Sequence, residues 1–241
     1  QLEQEQGIDH RIVRSNQDNT FSLESFEKAC ADAGSKLKMV SMSHVGNLDG
    51  VEIPVKEITK IAKDYGALVS IDGAQSAPHM SVNVQDLGID FYSFSIHKML
   101  GPSGMGGLWG RTELLENMRT IQSGGQTVKS STYESLEWAK PPSKFEGGLG
   151  HFAGMMATGA AIDYLTKLDM DQVHNHEQSL NKIMSDGVKD LPGVSIIGPE
   201  DASKRGGICS LLLDNKLPSH DIALLLDEVS GVMVRSGQHC V

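Results

Sequence analysis

The stretch 67-ALVSIDGAQ-75 decides how this chain is read. Its first six residues are a mostly apolar run of strand length, the pattern of a strand buried on both faces of a parallel sheet. Asp72 ends the run, and Gly73 permits a sharp turn. In open α/β sheets, ligands sit outside the carboxyl ends of strands. An Asp there needs a partner or a cation, and Gln75 adds an amide that donates or accepts. The plainer reading is a strand-ending turn with Asp72 as a helix N-cap. The stretch alone leaves both open.

Working outward, strand and helix patterns alternate. Ile12–Val13, 37-LKMVSM-42, 89-IDFYSFS-95 and 105-MGGLWG-110 read as strands. Leu23–Ala33, Val55–Tyr65, a short segment from Ala74 and 112-TELLENM-118 read as helices. This alternation predicts an α/β fold with a mostly parallel sheet and flanking helices. Residues 122–150, rich in Gly, Ser, Thr and Pro, read as one long loop. Two helices follow, Phe152–Leu168 and Met170–Leu191. The tail then gives strands at Val194–Ile197 and 208-ICSLLL-213, a helix at Ser219–Val229 and a strand at Gly231–Arg235. The expected division is a large domain over residues 1–165 and part of a smaller α+β domain over residues 166–241.

The 241 residues carry 31 acidic and 21 basic side chains, a formal charge of −10. That balance argues against nucleic acid or an anionic membrane as partner, and no apolar run is long enough to span a bilayer. Three widely spaced cysteines, Cys30, Cys209 and Cys240, form neither a disulfide framework nor a zinc-ligand pattern. They favour a reducing, cytoplasmic compartment. Cys30 and Cys209 lie in apolar patterns and read as small buried hydrophobes, as Met155 and Met156 read as core filler. His44, His174 and His176 read as bystanders, and no metal site is expected.

The next strand ends in 93-SFSIHKMLGPSG-104. Ser95 and His97 beside Lys98 can hold an anion while the lysine presents its amine. Taken singly, these are a satisfied histidine and a surface lysine. Together with Asp72 and Gln75 they come from two successive strands to one sheet edge, and the set fits pyridoxal phosphate. That cofactor needs an amine for its Schiff base, a carboxylate at its pyridinium nitrogen, and donors for its phosphate and phenolate oxygens. Lys98, Asp72, Ser95 with His97, and Gln75 supply these in turn. The turn 101-GPSGMGG-107 lets backbone approach closely but lacks the spacing of a dinucleotide fingerprint. Near the end, 235-RSGQHC-240 puts Arg235 and His239 near Cys240, where they can favour a thiolate. The plainer reading there is a surface cysteine without a role.

Five stretches, 43-SHVGNLDG-50, 69-VSIDGAQSAPH-79, 93-SFSIHKMLGPSGMGGLWG-110, 145-FEGG-148 and 235-RSGQHC-240, occur in the order seen in cysteine desulfurases of the sulfur-mobilisation group. The chain resembles that family, within the class V aminotransferases, over nearly its whole length. The resemblance implies fold-type I, a homodimer and conversion of L-cysteine to L-alanine, with the sulfur passed to an acceptor protein for iron–sulfur cluster assembly. It implies that Lys98 is the Schiff-base lysine, Asp72 the pyridine partner and Gln75 the phenolate partner, with Ser95 and His97 on the phosphate. It further implies Asn47 near the cofactor and the substrate carboxylate, Cys240 as the sulfur-accepting nucleophile, and Arg235 in its loop. Selenocysteine lyase on the same fold and a non-catalytic partner-binding homologue are the alternatives. Leu149 stands where the family usually carries a Thr that reaches the partner subunit's phosphate. The family's N-terminal phosphate turn and stacking His, and its C-terminal carboxylate-binding Arg, have no counterpart in these residues. The 241-residue chain alone is therefore expected to bind cofactor and dissolve poorly.

Overall fold

The computed structural model describes residues 2–214 and 217–239. In chain order the elements are α1 (Leu2–Gln6), α2 (Leu23–Ala33), β1 (Met39–Ser43), α3 (Val55–Asp64), β2 (Leu68–Asp72), β3 (Phe91–Ser95), β4 (Gly106–Gly110) and α4 (Thr112–Asn117). There follow β5 (Val128–Ser131), β6 (Leu136–Trp138), α5 (Phe152–Leu168), α6 (Met170–Val188), β7 (Val194–Ile197), β8 (Ser210–Leu213) and α7 (Ser219–Ser230). The principal sheet runs β1-β2-β3-β4. Its β1–β2 and β2–β3 pairs are parallel and its β3–β4 pair antiparallel. This is the mostly parallel, helix-flanked sheet expected from the alternation.

The core follows from the patterns that form the elements. Val69 and Ile71 on β2 are fully buried, as the apolar run requires. Val55, Ile58, Thr59 and Ala62 recur at helical spacing on α3 and are all buried. Phe26 and Cys30, four apart on α2, join the same cluster. Ser22 caps α2, its hydroxyl accepting from Ser25 N at 3.2 Å. Asp90, wholly buried just before β3, accepts from Val69 N at 2.7 Å. It also pairs with Arg111 at 3.2 Å and with Lys63. One carboxylate thus ties β2, α3 and the end of β4 together.

The segment around Arg205 packs on the loop after β1. Val51 bridges Arg205, Gly206 N donates to Gly50 O at 2.8 Å, and Ser210 Oγ donates to Leu48 O at 2.5 Å. Arg205 is fully buried, with Nη2 donating to Ser185 Oγ at 2.7 Å.

Several expectations need correction. Ile12–Val13 forms no strand, because no neighbour pairs with it and Ile12 is exposed. The segment from Ala74 is a series of turns, since Pro78 has no N–H to continue a helical ladder. The 122–150 segment contains the β5–β6 hairpin. Gly231–Arg235 is exposed and irregular, with no strand alongside among the described residues. Met155 and Met156 are exposed on α5, which has apolar residues on more than its packed face, and Cys209 is only partly buried.

Candidate active site

The site is built at the carboxyl edge of β2 and β3. Asp72 lies opposite Ser93 in parallel register, and β3 continues two residues further, to Ser95. The two strand ends are thus adjacent, one sheet spacing apart. Asp72 is exposed, and its Oδ1 accepts from Ala74 N at 2.8 Å. The carboxylate caps its own turn and still faces outward.

The turn after Asp72 is held from below. A side chain at Gly73 would meet the Tyr92 ring at 2.0 Å, so only glycine fits there. Tyr92 is buried and its hydroxyl lies 2.7 Å from Ser76 Oγ. Burial pushes the Tyr92 phenol up to about 12, so it stays protonated and keeps that bond. Ser76 N and Ala77 N both donate to Gly73 O, which closes the turn that carries Gln75.

Ser95 leads into a single 3₁₀ turn, Ile96–Met99. His97 on it is exposed and Lys98 half-buried. Leu100 then takes a left-handed conformation (φ 62°), and Gly101 N returns to Ile96 O at 3.0 Å. A side chain at Gly101 would strike Ile96. The tight turn aims 97–98 off the strand end. Among the described residues, Lys98 Nζ has no hydrogen-bond or carboxylate partner, so its amine is available for chemistry.

Asn47 sits in a turn closed by Gly46 N to Val51 O at 2.9 Å. Its Nδ2 donates to His239 O at 2.5 Å. Asn47 therefore meets His239 across 192 positions of sequence. Arg235 is exposed on that segment; Cys240 lies outside the described residues. Leu149, at the position of the expected Thr, is exposed.

Beside Gln75 lies a cavity of about 290 Å³ that the sequence reading missed. Glu52, His79, His174 and Glu177 line it, with Val45 and Ile208 among the apolar walls. His79 Nδ1 is 2.8 Å from Glu177 Oε1, and His174 Nε2 is 3.5 Å from Glu52 Oε1. Burial raises the Glu52 carboxyl above its usual range. His174, expected to be a bystander, lies against the Glu52 carboxyl, whose buried Oε1 has no hydrogen-bond partner among the described residues. Nothing in the local pattern relates residue 79 to residue 177. No group of three or more His, Cys, Asp or Glu able to hold a metal occurs among the described residues.

The donor set suits pyridoxal phosphate. A carboxylate and an amine follow from adjacent strand ends, an amide stands on the turn between, and at Gly73 and Gly101 any side chain would strike Tyr92 or Ile96. The mostly parallel sheet with helices on its faces is that of the fold-type I, aminotransferase-like enzymes. The family model "Aminotransferase class-V" matches residues 1–241, and the chain belongs to that family.

A probable cysteine desulfurase of Halalkalibacterium halodurans is 41% identical over 223 residues, covering 92% of this chain and 53% of that protein. A cysteine desulfurase of Haloferax volcanii is 36% identical over 240 residues, covering 100% and 55% respectively. Among solved structures, the apo cysteine desulfurase of Thermococcus onnurineus superposes with a TM-score of 0.91 at 34% identity, covering 99% of this chain and 58% of that one. The chain thus spans just over half the length of the relatives it matches.

Proposed function

We propose that the whole protein is a pyridoxal-phosphate-dependent cysteine desulfurase that converts L-cysteine to L-alanine and carries the sulfur as a persulfide on Cys240. The observation that carries the reading is the Asn47–His239 hydrogen bond, which joins the cysteine-bearing segment to the loop after β1. β1 is the strand next to β2, which bears Asp72, so a His239 held by the loop after β1 supports this reading. The relatives that bear the name cysteine desulfurase match this chain over 92% and 100% of its length.

In this reading Asp72 faces the pyridinium nitrogen, Gln75 the phenolate oxygen, and Ser95 with His97 the phosphate. Bound there, the cofactor supplies an electrophilic carbon for the Lys98 amine and a ring that takes up charge from the substrate α-carbon. Lys98 Nζ removes the α-proton, a role that suits an amine on a tight turn with no ion-pair partner among the described residues. Asn47 binds the substrate carboxylate, with Arg235 alongside. The Cys240 thiolate attacks the substrate sulfur. A sulfur–sulfur bond forms and the carbon–sulfur bond breaks. Its electron pair stays on the substrate carbon, which takes a proton and leaves as alanine. The persulfide then passes to an acceptor protein. A cytoplasmic homodimer acting in iron–sulfur cluster assembly completes the proposal, and no helix among the described residues is long and apolar enough to cross a membrane.

The test uses the whole protein with added cofactor. Lys98→Ala is expected to lose the cofactor's visible band in its lysine-linked form. Cys240→Ala is expected to keep the band and lose alanine and sulfide production about a hundredfold or more. A wild-type band without cysteine turnover would overturn the desulfurase assignment in favour of selenocysteine.

A further inference from the structure

Two His–carboxylate pairs flank the cavity beside Gln75, and they are reciprocal. α6 contributes one histidine and one carboxylate, His174 and Glu177, three residues apart and so on one helical face. Glu177 is hydrogen-bonded to His79 on the turn after β2. His174 approaches Glu52 on the loop after β1 at 3.5 Å, close enough for an ion pair but with Glu52 Oε1 making no hydrogen bond among the described residues. The four side chains are 22–40% exposed, so each pair is partly withdrawn from water. Glu177 Oε2 is buried without a hydrogen-bond partner, and a side chain at Gly207 would come within 2.9 Å of it. The glycine leaves the room that the carboxylate occupies.

Each pair ends a few residues from a group in the proposed site. His79 lies four residues after Gln75, on a chain of turns in which His79 N and Met80 N both donate to Ser76 O. Fixing the His79 ring fixes that turn, and with it the Gln75 amide. Glu52 lies five residues after Asn47. Gly46 N to Val51 O and Ile53 N to His44 O close that loop on either side of Glu52. Fixing Glu52 fixes the turn that presents Asn47.

We propose that His79 with Glu177, and Glu52 with His174, are positioning residues: the first pair sets Gln75 for the cofactor and the second sets Asn47 for the substrate, both from α6. The inference rests on the desulfurase reading, because Gln75 and Asn47 have their roles only within it.

The two pairs make separable demands, which a merely structural role would not. In the whole protein, Glu177→Ala and His79→Ala are each expected to weaken pyridoxal phosphate binding to the apo form about tenfold, measured by absorbance titration, with KM for cysteine little changed. Glu52→Ala and His174→Ala are expected to raise KM for cysteine about tenfold, with cofactor binding unchanged. Because an alanine variant can simply unfold, the exchange His79→Glu with Glu177→His provides a second arm. It keeps the pair with its members swapped, and is expected to recover most of the cofactor affinity that either single change loses. Wild-type protein that neither binds cofactor nor turns over cysteine would sink the desulfurase reading. Active wild type in which all four variants are unchanged would sink this inference alone. So would active wild type in which either pair moves both readouts together, or in which the exchange recovers nothing.

Discussion

His44 shows how one residue couples the site to pH. It stands between β1 and the Asn47 turn, is 7% exposed, and its Nδ1 has no hydrogen-bond partner among the described residues. Burial lowers its pKa to about 4. The folded state therefore holds His44 neutral, while the unfolded chain protonates it near the ordinary histidine value. The unfolded state binds the extra proton between these two values, so the contribution is full above about pH 6.5 and is lost as pH falls towards about 4. Between about pH 7.5 and about pH 5 this amounts to about 2 kcal/mol. A His44→Leu variant has no such proton to bind, so its denaturant midpoint should fall less over that interval than that of the wild type. Parallel pH slopes for the two proteins would refute the assignment. The same scale explains why Gly73 reads so clearly in the sequence while its reason does not. A glycine after Asp72 announces a turn, but the Tyr92 ring beneath it comes from another strand.

At the scale of elements, Asp90 is the strongest single tie. It takes a backbone N–H from β2, a lysine from α3 and an arginine from just past β4. Asp90→Asn would replace an acceptor oxygen with an N–H group facing two cations. With Lys63 and Arg111 both partly exposed, the loss is expected to be about 3 kcal/mol, measured by denaturant unfolding of the whole protein. A loss below about 1 kcal/mol would mean that the carboxylate is not the tie its geometry implies. Elements with a local cause were legible in sequence. Leu23–Ala33 and Val194–Ile197 were read at their observed bounds, the first from helical spacing and the second from a short apolar run. The turn at Ala74–His79, the β5–β6 hairpin and the irregular 231–235 segment were not, because each depends on what lies beside it. The same distinction holds for the site. Asp72 and Ser95 stand at the carboxyl ends of neighbouring parallel strands, with Gln75, His97 and Lys98 on the turns that follow, and strand alternation predicts that placement. The His79–Glu177 pair spans 98 positions and exists only because α6 packs across the turn after β2, so no local pattern announces it.

At the scale of the whole molecule, the described surface does not look finished. Phe152, Met156 and Tyr164 on α5 are 58%, 79% and 56% exposed, and Leu225 and Val229 on α7 and Met233 just beyond it are 49%, 79% and 83% exposed. Among the described residues the β5–β6 and β7–β8 sheets have two strands each, an arrangement marginal on its own. Leaving such side chains in water forfeits on the order of 1–2 kcal/mol each, and apolar faces of this kind associate. The formal charge of −10 opposes association, but it acts through water. Its reach is about 30 Å at ~0.01 M salt and about 8 Å at ~0.15 M. Residues 1–241 produced alone should therefore self-associate and bind a hydrophobic dye, and their size by light scattering should rise as salt is added. The whole protein should show neither the dye binding nor the salt-driven growth, because its apolar faces would be packed. A 241-residue chain that stays monomeric in salt and melts in one sharp step would contradict this. It would mean that the contacts around Arg205 and Gly50 suffice to hold the fold without further packing on α5 and α7.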